Sequence, residues 1–403
     1  MKKIKYILIL GLLANMSYGK VKMATYESVK QKSMGGATIL SEVNENALVN
    51  NPALLNEIDK WELNIFGLAI GVEKDTPDTA EGMMQLIDDL DELSEADDQD
   101  IVDLLQAYLN GVAKDINGKT YNTERYQLSN KKVVAELNQV IAFAKKNFGV
   151  GVFTTVKLND FRIIDKPSSP EIIADLSGSV QVPIGFSFDF GKNKQYVLGA
   201  SFKGVGGANG YAEADAGDIS SDNEVPVKTE VYTGYTFDIG SIWRTKYLNY
   251  SLTANNVYSD LDVTVTEHDI DTDYSGQKLP TSINFAISNK YDKEDRLDKW
   301  WDKHLFWTLE FKNLTSEDLD VDGYKDDDFY KKIHFGASTM VFNNKWLKLD
   351  LRGGLNQGYP TFGFGTELFS FFNVDYSYST REKGTTAGMD GETLHSLAID
   401  FRI

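Results

Sequence analysis

The chain has 403 residues and a net charge of −19, and because a phosphate backbone repels so acidic a surface, a nucleic-acid partner is not expected. The absence of cysteine excludes a disulfide framework, a thiolate zinc site and a cysteine nucleophile. The apolar share of 42% is low for a helical membrane protein, but a membrane β-barrel needs only alternate residues to be apolar.

Residues 1–19 are expected to form a secretory signal peptide. Met1–Lys5 is basic, Tyr6–Leu13 is a short apolar run, and Ser17–Gly19 offers small residues for cleavage. The apolar run is too short to span a bilayer as a helix. We therefore expect the mature chain to be exported.

Fourteen later segments predict β-strands, because they are rich in Phe, Tyr, Val and Thr and many alternate apolar and polar residues. In Leu397–Ile403, for example, large apolar residues occupy every odd position. Each segment is long enough to cross a bilayer as a tilted strand, which takes about 9–11 residues. The predicted strands are Trp61–Val72, Val134–Lys145, Phe148–Phe161, Leu176–Phe190, Tyr196–Gly206, Val227–Gly240, Tyr247–Val257, Pro280–Lys290, His304–Lys312, Tyr330–Phe342, Trp346–Leu355, Pro360–Leu368, Phe371–Thr380 and Thr393–Ile403.

Short and long connections alternate along most of the chain. Residues 369–370 form a short turn, whereas residues 73–133 and 207–226 form long loops; residues 291–303 and 356–359 break the alternation. Outer-membrane barrels have short periplasmic turns and long external loops. The sequence therefore predicts an all-β fold, a transmembrane antiparallel β-barrel of about fourteen strands. A soluble exported β-protein is the alternative.

The long insertion at residues 73–133, within a barrel domain at residues 59–403, is strongly acidic. Residues 73–103 hold thirteen Asp or Glu and a single basic residue. Apolar residues spaced by three and four, as in Met83, Ile87 and Leu90, predict two short amphipathic helices. We expect a small extracellular helical cap over one end of the barrel; the alternative is a solvated acidic hairpin.

A second acidic loop resembles half of a calcium-binding loop. Asp318, Asp320, Asp322 and Asp326 alternate around Gly323, which permits the sharp turn that wraps a hard cation. The glutamate usual at the twelfth position is absent. These residues are candidate ligands for Ca²⁺, the one cofactor considered, and the alternative is a solvated loop.

Catalytic motifs are not evident, so no enzyme activity is expected. The four histidines form no metalloprotease pair and lie near no serine-nucleophile motif. His334 and His395 fall in predicted strands, where a lumenal or interface position is the expected role.

Two motifs resemble known outer-membrane proteins. Ser33–Ala37 (SMGGA) and Asn50–Leu55 (NNPALL) resemble the start of the FadL/PorV superfamily of barrels. Leu351–Thr361, followed by Val374–Tyr378, is similar to the TraF-like branch of that superfamily, whose members often carry a conjugal-transfer label.

The resemblance implies fourteen strands and an N-terminal hatch, residues 20–58, inside the lumen. Gly35, Gly36, Asn51 and Pro52 match the motif and are the expected hatch positions. The reason for glycine there is close backbone packing in a filled lumen. Packing without any gating role is an equally open interpretation.

The resemblance also implies a location in the bacterial outer membrane, in contact with its lipid. The function expected from FadL-type members is passive passage of small hydrophobic molecules. PorV-type members imply the alternative, a docking scaffold for a secretion or envelope protein. Thiol–disulfide exchange is excluded because the chain lacks cysteine.

Overall fold

The computed structural model describes residues 21–93, 98–129, 131–166, 169–215, 227–267, 270–291, 304–314, 329–383, 389 and 391–403. The strands are β1 Glu62–Glu73, β2 Lys114–Ile116, β3 Lys119–Tyr121, β4 Ala135–Lys145, β5 Phe148–Ile164, β6 Glu171–Phe190, β7 Tyr196–Asp215, β8 Val227–Arg244, β9 Leu248–Glu267, β10 Ile270–Gln277, β11 Ser282–Asn289, β12 Phe306–Phe311, β13 Ile333–Asn343, β14 Leu347–Asn356, β15 Tyr359–Leu368, β16 Phe372–Glu382 and β17 Gly391–Arg402. The α-helices are α1 Val29–Ser33, α2 Ala47–Asn50, α3 Thr76–Glu92 and α4 Asp98–Asn110, and 3₁₀ turns span Pro52–Glu57, Lys192–Lys194 and Phe329–Lys332.

Fourteen antiparallel strands form a closed ring. β1 pairs with β4 on one side and with β17 on the other, where Leu68 lies opposite Ile399. The remaining order follows the chain, except that β2 and β3 form a separate hairpin and β10 pairs only along β9. The predicted fourteen-stranded barrel is therefore confirmed, with each predicted segment contributing one strand.

The barrel wall is apolar outside and polar inside. Along β6, Val180, Ile184 and Phe188 face outward and are each about half exposed, whereas Ser179 and Gln181 face inward and are buried. Side chains alternate between the two faces of a strand, so this pattern gives the wall a continuous outer apolar surface. It is the reverse of a soluble barrel, whose apolar residues turn inward.

The acidic insertion packs against the outside of the wall. α3 and α4, the two helices expected there, bury Leu104 and Tyr108 against Phe161 and Ile163 of β5 and Ile172 of β6. Those strand residues share the outward register of Leu176, which is exposed. The prediction of a cap over the opening is wrong for these helices, which flank the opening because the outward apolar residues of β5 and β6 attract them. No helix in the described part of the chain is both long and apolar enough to cross a membrane.

Residues 21–58 lie inside the ring. Their backbone accepts hydrogen bonds from Asn209 of β7 and Ser179 of β6, while Thr361 of β15, on another part of the wall, accepts the N–H of Gly35 at 2.9 Å. Most of these residues are buried. A segment bonded to several sides of a closed ring occupies its lumen.

Candidate functional site

Gly35 and Gly36 lie where the N-terminal segment touches the wall most closely. Both have positive φ, +69° and +76°, a conformation that favours glycine. A Cβ on Gly35 would come within 2.2 Å of the Phe335 carbonyl oxygen. The facing strands also carry glycine, at Gly336 and Gly354, and both approach the Met34 backbone. Backbone therefore packs on backbone here.

Asn51 and Pro52 form the second close contact between the N-terminal segment and the barrel wall. The Asn51 side chain caps the following 3₁₀ turn by accepting the Ala53 N–H at 3.1 Å, and it donates to the Ile39 carbonyl at 2.8 Å and the Ser251 hydroxyl at 3.0 Å. Pro52 lies so close to Gly199 of β7 that a Cβ there would clash with it. Asn51 thus ties two parts of the N-terminal segment to β9.

The apolar part of the N-terminal segment seals one side of the lumen. Leu48 and Leu55 pack against Gly149 of β5 and Gly185 of β6, within a buried cluster that includes Phe153. This cluster lies toward the end of the barrel with the short turns, where the Asn147 N–H donates to the Leu55 carbonyl at 3.0 Å. Its residues are apolar, so they offer water no hydrogen-bonding partner.

Glu310 of β12 attaches the N-terminal segment to the wall, a contact that the sequence does not reveal. Its buried carboxylate accepts three consecutive backbone N–H groups, of Thr38 at 2.7 Å, Ile39 at 2.8 Å and Leu40 at 3.2 Å. A carboxylate that accepts several backbone N–H groups binds them strongly. The only sequence signal is one acidic residue in Phe306–Phe311, a strand whose other residues are apolar except for Thr308, and this signal equally fits any lumenal side chain.

A polar cavity of about 450 Å³ lies in the lumen toward the long loops; we call it the long-loop cavity. Its lining is dominated by amide side chains, with Lys32, Lys203, Lys312 and Arg381 beside them. The amides are Gln31, Asn50, Gln181, Asn255, Asn256, Asn284, Asn313, Asn356 and Gln357. The site therefore offers many neutral donors and acceptors.

A second cavity of about 160 Å³ lies toward the short turns, beside β13–β17 and β1; we call it the short-turn cavity. Its lining includes Lys348, Arg352 and Arg402 together with Glu367 and Asp400. It is likewise polar.

Most of the lumenal cations have a carboxylate partner. Lys203 lies 2.5 Å from Asp238, and Arg352 lies 2.5 Å from Asp375. In the N-terminal segment, burial alone would raise the pKa of Glu27, but the charges of Lys157 and Lys32 outweigh it and lower the pKa to about 2. Buried charges of opposite sign thus cancel across the lumen.

An apolar cluster lies beside the long-loop cavity. Val205, Tyr232, Leu261 and Val263 of β7–β9 are buried and packed with Leu279. Val21 and Met23 of the N-terminal segment pack against this cluster, and Met23 also lines the long-loop cavity. Met23 therefore joins a close-packed apolar cluster to a cavity that is rich in hydrogen-bonding groups.

Other candidate residues fall into two groups. His334 lies inside the lumen as expected, with its Nδ1 2.9 Å from the Gly35 carbonyl oxygen. The candidate calcium ligands Asp318, Asp320, Asp322 and Asp326 lie outside the described residues. Among the residues described, no group of three or more metal-binding side chains comes together.

No family model and no curated protein matches the sequence. Among solved structures, the chain is similar to the Ralstonia pickettii toluene transporter TbuX at 10% identity, with a TM-score of 0.49 over 93% of this chain and 97% of that one. The Pseudomonas putida toluene transporter TodX gives 11% identity and a TM-score of 0.49, over 93% and 98%. A Pseudomonas aeruginosa FadL homologue gives 10% and 0.41, over 94% and 98%. At these scores the likeness assigns no residue and no activity.

Proposed function

We propose that this protein is a passive outer-membrane channel for small molecules with an apolar part. The observation that carries the proposal is the lumen itself, where a cavity of about 450 Å³ adjoins, through Met23, the apolar cluster of Val205, Tyr232, Leu261 and Val263. A cavity of this size is at the lower end of the range for small-molecule sites, about 300–1,000 Å³. TbuX and TodX, similar in outline, are described as toluene transporters.

The outer surface supports placement in a bilayer. Large apolar side chains are exposed along the wall, and Phe190, Tyr196 and Trp243 form a row of neighbouring rings near the short turns. Aromatic belts are typical of membrane interfaces. The soluble alternative would leave this apolar surface in water, at a cost of about 25 cal/mol per Å². Placement in the bacterial outer membrane, with the long loops outside, follows from this proposal.

The N-terminal segment is proposed to be the hatch. Gly35 and Gly36 anchor it to β13 and β14, and Asn51 and Pro52 anchor it to β7–β9. Membership of the TraF-like branch stays a proposal that rests on Leu351–Thr361.

A docking scaffold is the second candidate function. The observation that favours it is the apolar seal of Leu48 and Leu55, which fills the short-turn side of the lumen on β4–β6. A scaffold needs a filled lumen, whereas a channel needs a segment that can leave it.

Planar-bilayer conductance of the refolded protein, with and without residues 20–58, tests whether this segment blocks the lumen. Conductance of the intact chain favours the channel, whereas a scaffold conducts only after the deletion. For a hatch-blocked channel, the deletion variant conducts several-fold more than the intact chain. Heat-modifiable gel mobility first establishes that the variant is folded. Equal conductance in the two folded proteins would exclude residues 20–58 as a hatch.

A further inference from the structure

We propose that the cargo crosses along the barrel axis, from the long-loop cavity to the short-turn cavity, past a partition formed by Tyr26–Lys32, and that it is an uncharged molecule with hydrogen-bonding groups. This inference rests on the proposed channel function and adds its route and its class of cargo.

Residues Tyr26–Lys32 separate the two cavities. Tyr26 lines both of them. The other residues divide between the two faces, with Glu27, Gln31 and Lys32 in the long-loop cavity and Ser28, Val29 and Lys30 in the short-turn cavity. Displacement of this one segment would join the cavities into a continuous path.

The partition is held mainly by polar contacts. Lys32 forms an ion pair with Glu136, and Asn138 donates to the Glu27 carbonyl at 3.2 Å. Tyr26 meets Phe153 edge-on, with ring centroids 5.0 Å apart. Residues 47–57, by contrast, are wedged by apolar contacts against the wall glycines. Tyr26–Lys32 thus has fewer apolar contacts with the wall than residues 47–57, and its displacement requires the Lys32–Glu136 ion pair and the Tyr26–Phe153 contact to open.

The lining selects an uncharged cargo. Lys203, Arg352 and Arg402 each have a carboxylate within 2.7 Å, so these three cations are already paired and are not free to bind an anion that enters the path. Amide side chains, in contrast, can exchange hydrogen bonds with a hydroxyl or carbonyl group without loss of charge pairing. The Gln31 side-chain oxygen is buried and has no partner within the described part of the chain, so it is available to accept from cargo.

Liposome swelling with arabinose, a neutral pentose, tests the route. We expect Tyr26→Ala to raise the swelling rate several-fold over the wild type, because the constriction between the cavities is removed. Tyr247→Ala is the matched control, since Tyr247 is exposed at a short turn. Its rate should equal that of the wild type.

A reversible cross-link provides the converse test. Val29 packs with Ala398 of β17, and the chain has no native cysteine. The double variant Val29→Cys, Ala398→Cys should swell more slowly than the wild type once thiol titration shows that the disulfide has formed. Dithiothreitol should restore the rate, and each single variant should be insensitive to it.

The outcomes separate the route from the function. If the wild type swells faster than protein-free liposomes but neither Tyr26→Ala nor the cross-link alters its rate, the route past Tyr26 is wrong and the channel stands. If no preparation, Tyr26→Ala included, exceeds protein-free liposomes and deletion of residues 20–58 adds no bilayer conductance, the channel function itself fails. Equal rates for arabinose and for arabinonate, its carboxylate counterpart, would overturn the uncharged cargo class.

Discussion

The carboxylate of Glu310 accepts the backbone N–H of Ile39 at 2.8 Å, joining β12 to the middle of the N-terminal segment. Thr38 and Leu40 donate to the same carboxylate. One side chain on the wall thus fixes three consecutive residues, and it does so in a buried place where water cannot replace it.

Glu310→Gln should loosen this attachment, because a neutral amide oxygen accepts more weakly than a carboxylate. Loss of charged hydrogen bonds of this kind costs about 1.5–3 kcal/mol each. We expect a lower free energy of unfolding in guanidinium and faster protease cleavage after Lys30 or Lys32. Glu367→Gln is the control, since Glu367 pairs with Lys348 near the short turns. Equal cleavage rates in the two variants would count against a role for Glu310 in holding the segment.

Gly35→Ala should displace the N-terminal segment from β13 and β14. The new Cβ would lie within 2.5 Å of two carbonyl oxygens, and alanine disfavours φ of +69°. We expect partial protease access to residues 21–58 and higher bilayer conductance in a barrel that still resists heat in detergent. Gly204→Ala is the matched control, because its Cβ would meet nothing within 4 Å. Protection of the segment in both variants would show that close packing at Gly35 is dispensable.

Tyr108→Phe should destabilise the acidic insertion by about 1–3 kcal/mol, because it leaves the buried carboxylate of Asp89 without its 2.5 Å hydrogen bond. Helical circular dichroism during thermal unfolding reports the loss. Tyr126→Phe is the control, since its hydroxyl binds an exposed carboxylate. Conductance should not change, because α3 and α4 flank the opening.

The stabilisation of the acidic insertion by Tyr108 should also decrease at high pH. Burial and the hydrogen bond to Asp89 raise the pKa of Tyr108 above its usual value. The unfolded tyrosine ionises near pH 10 while the folded one stays neutral, so the stabilisation is complete below about pH 10 and declines above it. The difference in melting temperature between wild type and Tyr108→Phe should shrink accordingly. A difference that is constant up to pH 11 would contradict this coupling.

The calcium prediction rests on Asp318, Asp320, Asp322 and Asp326 alone. If the loop binds Ca²⁺, calcium should raise the melting temperature of the wild type but not that of Asp320→Ala, since only a site that favours the folded state stabilises it. Identical melting in calcium and in chelator would dismiss the site.

The strands were predictable because their length and their alternation of apolar and polar residues are visible in the sequence, whatever the partner strand is. The ends of the strands on the long-loop side were not predictable. The sequence predicts a long loop from residue 207, yet β7 continues to Asp215. There Tyr232 of the neighbouring strand occupies the space that a side chain at Gly207 would fill. No local sequence pattern reveals this contact between strands. The role of Glu310 could not be predicted for a similar reason, since its hydrogen-bond partners lie about 270 residues earlier in the chain.

The pairing of β1 with β17 has a consequence for assembly. The first and last strands of the ring are its two closing partners, so the wall has two open edges until the C-terminal residues are available. Contacts this distant in sequence form slowly. Once the edges meet, the N-terminal segment can enter the lumen only through the ends of the barrel. Until then, the apolar outer faces of the strands and the two unpaired edges must stay shielded from other chains.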